Sequence, residues 1–377
     1  MKILFVTGSR GEWGYIKPII NLCIKKSISY NICATNMMLL PNYGKLIDEI
    51  KKQGYNVTDE IFMSLEGDNH FSMTKSLSVF LSSFIDIIKR IKPTWIVLAG
   101  DRGEQLMASI GGSYTYTPTA HIQAGERSGN IDGLARHAIG KFSHVHFASN
   151  IDAKNRLLAL GEEKFRIFNV GAPQLDEIKN CEISSKKKIE EKYNLSLKKK
   201  FILILFHPVT EEFDKIENQT NILIDSIKDL KENIFWVFPN NDAGANKIKN
   251  KIISERKDNI FLFENLSRRD FLCLMKYCIF MIGNSSSGLL EAPSFKKPAI
   301  NIGRRQDQRI RAQNVIDCKF NKNQIKRAIN KAQSNDFLKK IKNIKNPYGN
   351  GDSSEKILKV LKKIKINDKL MIKKITI

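Results

Sequence analysis

The sequence predicts an α/β protein with parallel sheets, and three observations carry that reading. Apolar segments such as Trp95–Ala99 are short and continuous, not alternating, as strands buried on both faces are. Longer amphipathic stretches separate them, and alternating β and α segments imply a sheet covered by helices on both sides. The alternation begins twice, at Lys2 and again at Phe201, so two similar halves are expected, in keeping with a length of 377 residues.

In the first half, residues 2–6 form an apolar strand. Thr7-Gly8-Ser9-Arg10-Gly11-Glu12-Trp13-Gly14 follows, then an amphipathic helix to about residue 25. This strand–glycine loop–helix unit lacks GxGxxG and fails as a dinucleotide fingerprint. Further strands are expected at 30–35, 95–99, 119–123 and 144–148, with helices at 44–53, 71–91, 104–114 and 132–142. Val170-Gly171-Ala172-Pro173-Gln174-Leu175-Asp176 reads as a domain crossover, and 186–200 as a charged helix and linker. The second half has strands at 201–206, 233–238 and 259–263 and a helix at 267–277. The apolar stretch 278–282 follows, then a Gly/Ser turn and about two helical turns, and a strand at 298–303. Beyond Phe320 the chain is helical and lysine-rich, with a turn at 346–351 and a last helix at 353–363.

The chain has 62 Lys and Arg against 39 Asp and Glu, a net charge of +23. The lysines are spread through helices among Asn and Ile, and aromatics do not interleave with them, so nucleic acid is not an expected partner. Six cysteines (Cys23, Cys33, Cys181, Cys273, Cys278, Cys318) form no CxxC pair and are expected to be reduced core thiols of a cytoplasmic protein. Four apolar residues before Thr7 are too few for a secretory core, and no run of about 18 apolar residues is expected to span a membrane.

Parallel sheets bind ligands at the carboxyl ends of their strands, so polar clusters there carry the functional argument. The foremost is Gly283-Asn284-Ser285-Ser286-Ser287-Gly288-Leu289-Leu290-Glu291-Ala292-Pro293. A strand, a Gly/Ser loop and a helix start bring free N–H groups and the positive helix end to one point, which suits a phosphate. Ser285 and Ser286 add hydroxyls, and Glu291 is placed to accept from a ribose diol. The loop Gly303-Arg304-Arg305-Gln306-Asp307-Gln308-Arg309 brings guanidiniums, suited to bidentate phosphate contact. Arg10 could reach a phosphate from the first half. Asp101, Glu126 and Asp132 follow successive strands, and clustered carboxylates can divide acid and base roles. Arg136 lies four residues after Asp132 on one helix face. Glu104 reads as a helix cap or surface ion pair. His207 ends the strand at 201–206 and is expected to be functional.

These residues together resemble a family. Thr7-Gly8-Ser9-Arg10, Gly100-Asp101-Arg102, His121-Ile122-Gln123-Ala124-Gly125-Glu126 with Ile131-Asp132 and Arg136-His137, Phe206-His207-Pro208-Val209-Thr210, and the 283–291 run with Arg304-Arg305-Gln306 are similar to the hydrolysing UDP-N-acetylglucosamine 2-epimerases of sialic and legionaminic acid synthesis. The resemblance runs in order from the first strand to about Val315. It implies two Rossmann-like domains facing a cleft, the GT-B architecture. Residues 1–170 would hold the sugar and the acid/base groups, 171–352 would bind the nucleotide, and 353–377 would be a terminal helix and tail. It implies elimination of the nucleoside diphosphate across C1–C2 of a 2-acetamido sugar, then hydration with inversion at C2. Asp101, Glu126 and Asp132 would be acid/base groups and His207 would assist the leaving diphosphate. Arg136 would hold the Asp132 region, with Gln123 at the substrate. Arg10, Arg102, Asn240, Ser285, Ser286, Glu291 and Arg305 would bind nucleotide. Many relatives have an acidic residue or His at position 123, and Gln cannot take a proton. UDP-N-acetylglucosamine and UDP- or GDP-linked N,N'-diacetylbacillosamine both fit as substrates. The 288–293 run and the Gly11-Glu12-Trp13-Gly14 loop resemble the diacetamido branch slightly more. The resemblance further implies no cofactor, no metal and a homo-oligomer, dimer or tetramer. A non-hydrolysing epimerase and a GT-B glycosyltransferase are the alternatives.

Overall fold

The computed structural model describes residues 1–67, 69–129, 131–180, 183–264 and 266–376. The chain divides into two compact units, one made of Met1–Lys179 with Tyr348–Ile377 and the other of Asn180–Pro347. In the first, Lys2–Thr7 (β1), Ser29–Thr35 (β2), Val57–Ile61 (β3), Trp95–Ala99 (β4), Thr119–Ile122 (β5), Val145–Ala148 (β6) and Ile167–Asn169 (β7) form a parallel sheet in the order β3-β2-β1-β4-β5-β6-β7. In the second, Phe201–Leu205 (β8), Asn233–Val237 (β9), Ile260–Phe263 (β10), Met281–Gly283 (β11), Ala299–Ile302 (β12) and Val315–Cys318 (β13) repeat the pattern as β10-β9-β8-β11-β12-β13. Both are doubly wound Rossmann-like sheets. Strand order reverses between β1 and β4 in the first and between β8 and β11 in the second, and such switch points leave a crevice at the carboxyl ends of the strands.

Continuous apolar strands explain the layering. Every residue of β4, β8 and β9 is buried. In the first unit, helix His70–Ile91 lays Phe80, Phe84, Ile87, Ile88 and Ile91 against Leu4, Val6, Ile96 and Leu98. By length and composition this helix could cross a membrane, an exception to the expectation that no such run exists. One face of it nevertheless packs as a core helix does. In the second unit, helix Ile216–Ile227 packs Ile216, Leu223 and Ile227 with Ile204 and Trp236.

The first unit runs on to Lys179, past the crossover read at 170–176, and resumes at Tyr348, before the expected 353. Ala172 N–H donates to the Tyr348 carbonyl (2.8 Å), so the chain leaving the first unit and the chain returning to it lie side by side. The terminal segment belongs to that unit and is not a separate tail. Asp176 caps helix Ser353–Lys363 by accepting from Ser353 N–H (3.0 Å) and Ser354 N–H (2.7 Å). Fully buried Arg166 donates to the carbonyls of Lys369 (2.8 Å) and Ile372 (3.2 Å). Cys23, Cys33, Cys273 and Cys278 are buried free thiols and Cys318 a half-buried one, with burial pushing each thiol up. Cys181 lies outside the described residues.

Candidate functional site

At the first unit's switch point, the loops after β1 and β4 converge. Ser9 and Glu12 form a capping box at the start of helix Arg10–Lys25, in which Ser9 Oγ accepts from Glu12 N–H (3.3 Å) and the Glu12 carboxylate accepts from Ser9 N–H (3.1 Å) and Gly8 N–H. Arg10 occupies the first helical position. Burial lowers its guanidinium to about 10 against a raising contribution from Tyr43, which leaves it charged at neutral pH. Glu104 corrects the sequence reading: it is only 1% exposed, neither a surface pair nor a simple cap. It accepts from Arg102 Nε (3.1 Å) and Asn36 Nδ2 (3.2 Å). Burial and then the Glu104 charge raise the Glu12 carboxyl well above its usual range, against Arg102 and the Gly8 N–H. The two buried carboxyls thus lie close enough for the Glu104 charge to disfavour ionisation of Glu12, with Arg102 beside them. The sequence signal for Glu12 was the Ser-x-x-Glu spacing; nothing local announced its neighbour Glu104.

Across β4, β5 and β6 the structure gathers a second cluster. The buried Arg136 guanidinium pairs with Asp101 and also donates to the Gln123 carbonyl (2.9 Å) and Ser128 Oγ (3.4 Å). Ser128 Oγ donates weakly to Asp101 (3.5 Å). Gln123 has a left-handed backbone (φ +62°), a strained conformation for a residue with a side chain, and this directs its carbonyl to Arg136. Its amide donates to Gln174 (3.4 Å). Glu126 is buried and accepts from Ser149 Oγ and Asn150 Nδ2 (3.5 Å), the residues that follow β6. Asp132 is half-buried in the first turn of helix Ile131–Phe142, one turn before Arg136. Arg136 thus organises Asp101 and Gln123, a wider role than holding the Asp132 region. Ser128, Ser149 and Gln174 were not singled out from sequence.

At the second unit's switch point, Asn284 ties the loops after β8 and β11 together. Its Oδ1 accepts from His207 N–H (2.8 Å) and its Nδ2 donates to the His207 carbonyl (2.8 Å). His207 Nδ1 accepts from Asn240 N–H (3.2 Å), which places the ring proton of a neutral His207 on Nε2. Gly283 has φ +141°, and a Cβ there would run into the Leu205 carbonyl on the neighbouring strand. The Asn284 carbonyl accepts from Gln306 Nε2 (3.0 Å) and Arg305 Nη1 (3.4 Å), so Arg305 does reach this loop. Arg304 instead pairs with Glu212 (2.7 Å). The helix after the loop is shorter than expected: one α turn, Ser287–Leu290, then a 3₁₀ turn, Ala292–Phe295. Pro293 cannot donate back to Leu289, which ends the α helix and leaves little dipole to attract an anion. Ser287 N–H donates to Ser285 Oγ (3.4 Å). Buried Glu291 pairs with Arg268, a partner the sequence did not indicate. Among the described residues, no group of three or more His, Cys, Asp or Glu side chains is placed to hold a metal.

Two doubly wound parallel sheets in one chain, each with polar loops at its own switch point, define a GT-B-type α/β protein. The chain belongs to the UDP-N-acetylglucosamine 2-epimerase family, whose model matches residues 22–362. It is 34% identical over 373 residues, 98% of each chain, to the UDP-N,N'-diacetylbacillosamine 2-epimerase (hydrolyzing) of Legionella pneumophila. It is 37% identical over 345 residues, 89% of this chain and 88% of the relative, to the GDP/UDP-N,N'-diacetylbacillosamine 2-epimerase (hydrolyzing) of Campylobacter jejuni. In fold it is similar to the crystal structure of the Neisseria meningitidis UDP-GlcNAc 2-epimerase bound to UDP-GlcNAc, with a TM-score of 0.82, 22% identity and coverage of 97% of this chain and 100% of that one.

Proposed function

We propose that this protein is a hydrolysing nucleotide-sugar 2-epimerase acting on a UDP- or GDP-linked 2-acetamido sugar of the gluco series, in the first place N,N'-diacetylbacillosamine. The observation that carries this reading is the 34% identity across 98% of both chains to a relative of that name. In this reading Asp101, Glu126 and Asp132 carry the proton transfers. Arg10, Arg102, Asn240, Ser285, Ser286, Glu291 and Arg305 bind the nucleotide, with Gln123 and Arg136 at the sugar-proximal cluster.

The chemistry needs such groups. A carbon that bears hydrogen and no adjacent carbonyl is hard to invert by direct deprotonation. Loss of the C2 proton to a carboxylate while the C1–O bond to the diphosphate breaks gives a C1–C2 alkene and free nucleoside diphosphate. Guanidiniums and loop N–H groups stabilise the charge growing on the diphosphate. His207, with its proton on Nε2, is suited to donate to the departing oxygen. Water then adds its oxygen to C1 while an acid delivers a proton to the opposite face of C2. The water consumed accounts for the free sugar, and no redox change occurs. The Gln123 side chain cannot be the base; the residue's backbone carbonyl orients Arg136 instead.

The test is a reaction in D₂O with each nucleotide sugar. The expected outcome is free nucleoside diphosphate and a manno sugar carrying deuterium at C2. A product that keeps its nucleotide would mean a non-hydrolysing epimerase, and a gluco product with protium at C2 would mean simple hydrolysis.

A further inference from the structure

His121 is completely buried in the middle of the first unit's sheet, on β5, yet it is not among the residues assigned a role above. Its Nε2 lies 2.6 Å from the Gly100 carbonyl. A carbonyl only accepts, so Nε2 carries the proton and the ring is a donor. Gly100 is the residue before Asp101 and has φ +88°, the turn that swings the chain from β4 into the Asp101 loop. Gly100 N–H in turn donates to the Ile122 carbonyl (3.1 Å) on the strand that carries His121. The turn is therefore gripped at both its N–H and its carbonyl by β5. Asp101 leaves that turn to meet Arg136.

The histidine is a costly way to fill this space. Its Nδ1 is buried without a hydrogen-bond partner. An unmet buried polar atom of that kind is destabilising, and an apolar side chain of similar volume would avoid it. Beside it in register, His146 accepts or donates toward Glu162 at 2.9 Å, so the neighbouring strand holds its own ring elsewhere and does not compete for Gly100. Burial, with Arg136, His146 and His137 adding to it against the Gly100 hydrogen bond, lowers the His121 imidazole to about 3. The ring is neutral at all working pH values. It is excluded as an acid or base and acts as a fixed donor.

We infer that His121 is a positioning residue for the reaction: its Nε2–H holds the Gly100–Asp101 turn in the conformation that presents the Asp101 carboxylate. This rests on the reading of Asp101 as one of the acid/base groups. The test is steady-state kinetics on full-length His121→Phe, which fills the space without a donor, and His121→Gln, whose amide can replace Nε2–H. The Phe variant should lose about 10²-fold in kcat, the scale of a roughly 1 Å misplacement, with KM and nucleoside diphosphate affinity within about threefold of wild type. The Gln variant should recover most of that loss, with the pH profile of kcat unchanged because the ring does not titrate. Wild-type kcat in the Phe variant, or a Gln variant as slow as the Phe variant, overturns the inference. If the Phe variant does not fold, the Gln variant decides alone: a kcat more than about tenfold below wild type overturns it. Asp101→Asn is run in parallel. If that variant keeps its turnover, the acid/base reading of Asp101 has failed; if it is inactive while His121→Phe is not, only the positioning role has failed.

Discussion

His144 gives a quantitative test of how the carboxyl-terminal strands of the first sheet are held. Its Nδ1 accepts from Thr119 N–H (3.1 Å), and its own N–H donates to the Thr119 carbonyl (3.0 Å), so it stitches the starts of β5 and β6 together. Protonation would turn that acceptor into a donor facing a donor. Burial first, then Lys373, Arg166 and His146, lower the imidazole from 6.5 to about 4. The sign follows from linkage. The unfolded chain binds the proton below about pH 6.5 and the folded one only below about 4, so stability falls as pH falls through that window. At pH 5 the unfolded imidazole is nearly all charged and the folded one nearly all neutral, a penalty of about 2 kcal/mol that is close to zero at pH 7.5. Other groups move as well; the raised Glu12 carboxyl works in the opposite direction. A difference between proteins removes them. In His144→Asn, Oδ1 can still accept from Thr119 and nothing titrates. Urea melts at pH 7.5 and pH 5 should show wild type losing about 2 kcal/mol more than this variant on acidification. Equal losses, or a larger loss in the variant, would refute the assignment of a neutral acceptor to His144.

Two further outcomes are expected. Ser286→Ala should weaken nucleoside diphosphate binding by about 1–3 kcal/mol in calorimetry, the value of a hydrogen bond to a charged group; unchanged affinity would remove Ser286 from the site. Gly283→Ala should cost more than about 3 kcal/mol in a denaturant melt, because φ +141° and the Leu205 carbonyl both exclude a Cβ; a loss below about 1 kcal/mol would show that the β8–β11 switch point can relax.

Central strands were legible because nothing in them conflicts with burial on both faces. Trp95–Ala99 is apolar throughout and lies where its sequence places it. Edge strands were legible only in part: Ile260–Phe263, an edge of the second sheet, is wholly apolar and was expected at 259–263, but the others were missed. Val57–Ile61 sets Thr58, Asp59 and Glu60 in a row between its two apolar ends and is half-buried along most of its length, so no apolar run marks it. Val315–Cys318 is another edge strand, interrupted by Asp317. Among the proposed site residues, Asp101, Glu126 and His207 lie in the loops that follow strands β4, β5 and β8, a position the sequence pattern gives. Partners distant in sequence could not. Asn284 clasps His207 across 77 residues, and Arg268 reaches Glu291 from a different helix. Arg136 was read with Asp132, its helix neighbour, yet its guanidinium pairs with Asp101, 35 residues away. Periodicity gives the strand and the position along it, but not which side chain of the next strand it meets.

The two switch points solve the same problem with different parts. In the second unit a neutral amide, Asn284, fixes the backbone of the loop after β8 by matching both His207 N–H and its carbonyl, and needs no charge to do so. In the first unit the equivalent loops are fixed by ionisable groups: Glu12 at Gly8 and Ser9, Glu104 at Arg102, Arg136 at Asp101 and at the Gln123 carbonyl. Buried charge is the costlier device, since each ion loses water that its partner must replace. It has a use where protons move. A carboxylate held by a guanidinium keeps its geometry whether or not a neighbour has just gained a proton. The acid/base carboxylates proposed for the first unit are then consistent with how that unit holds its own loops.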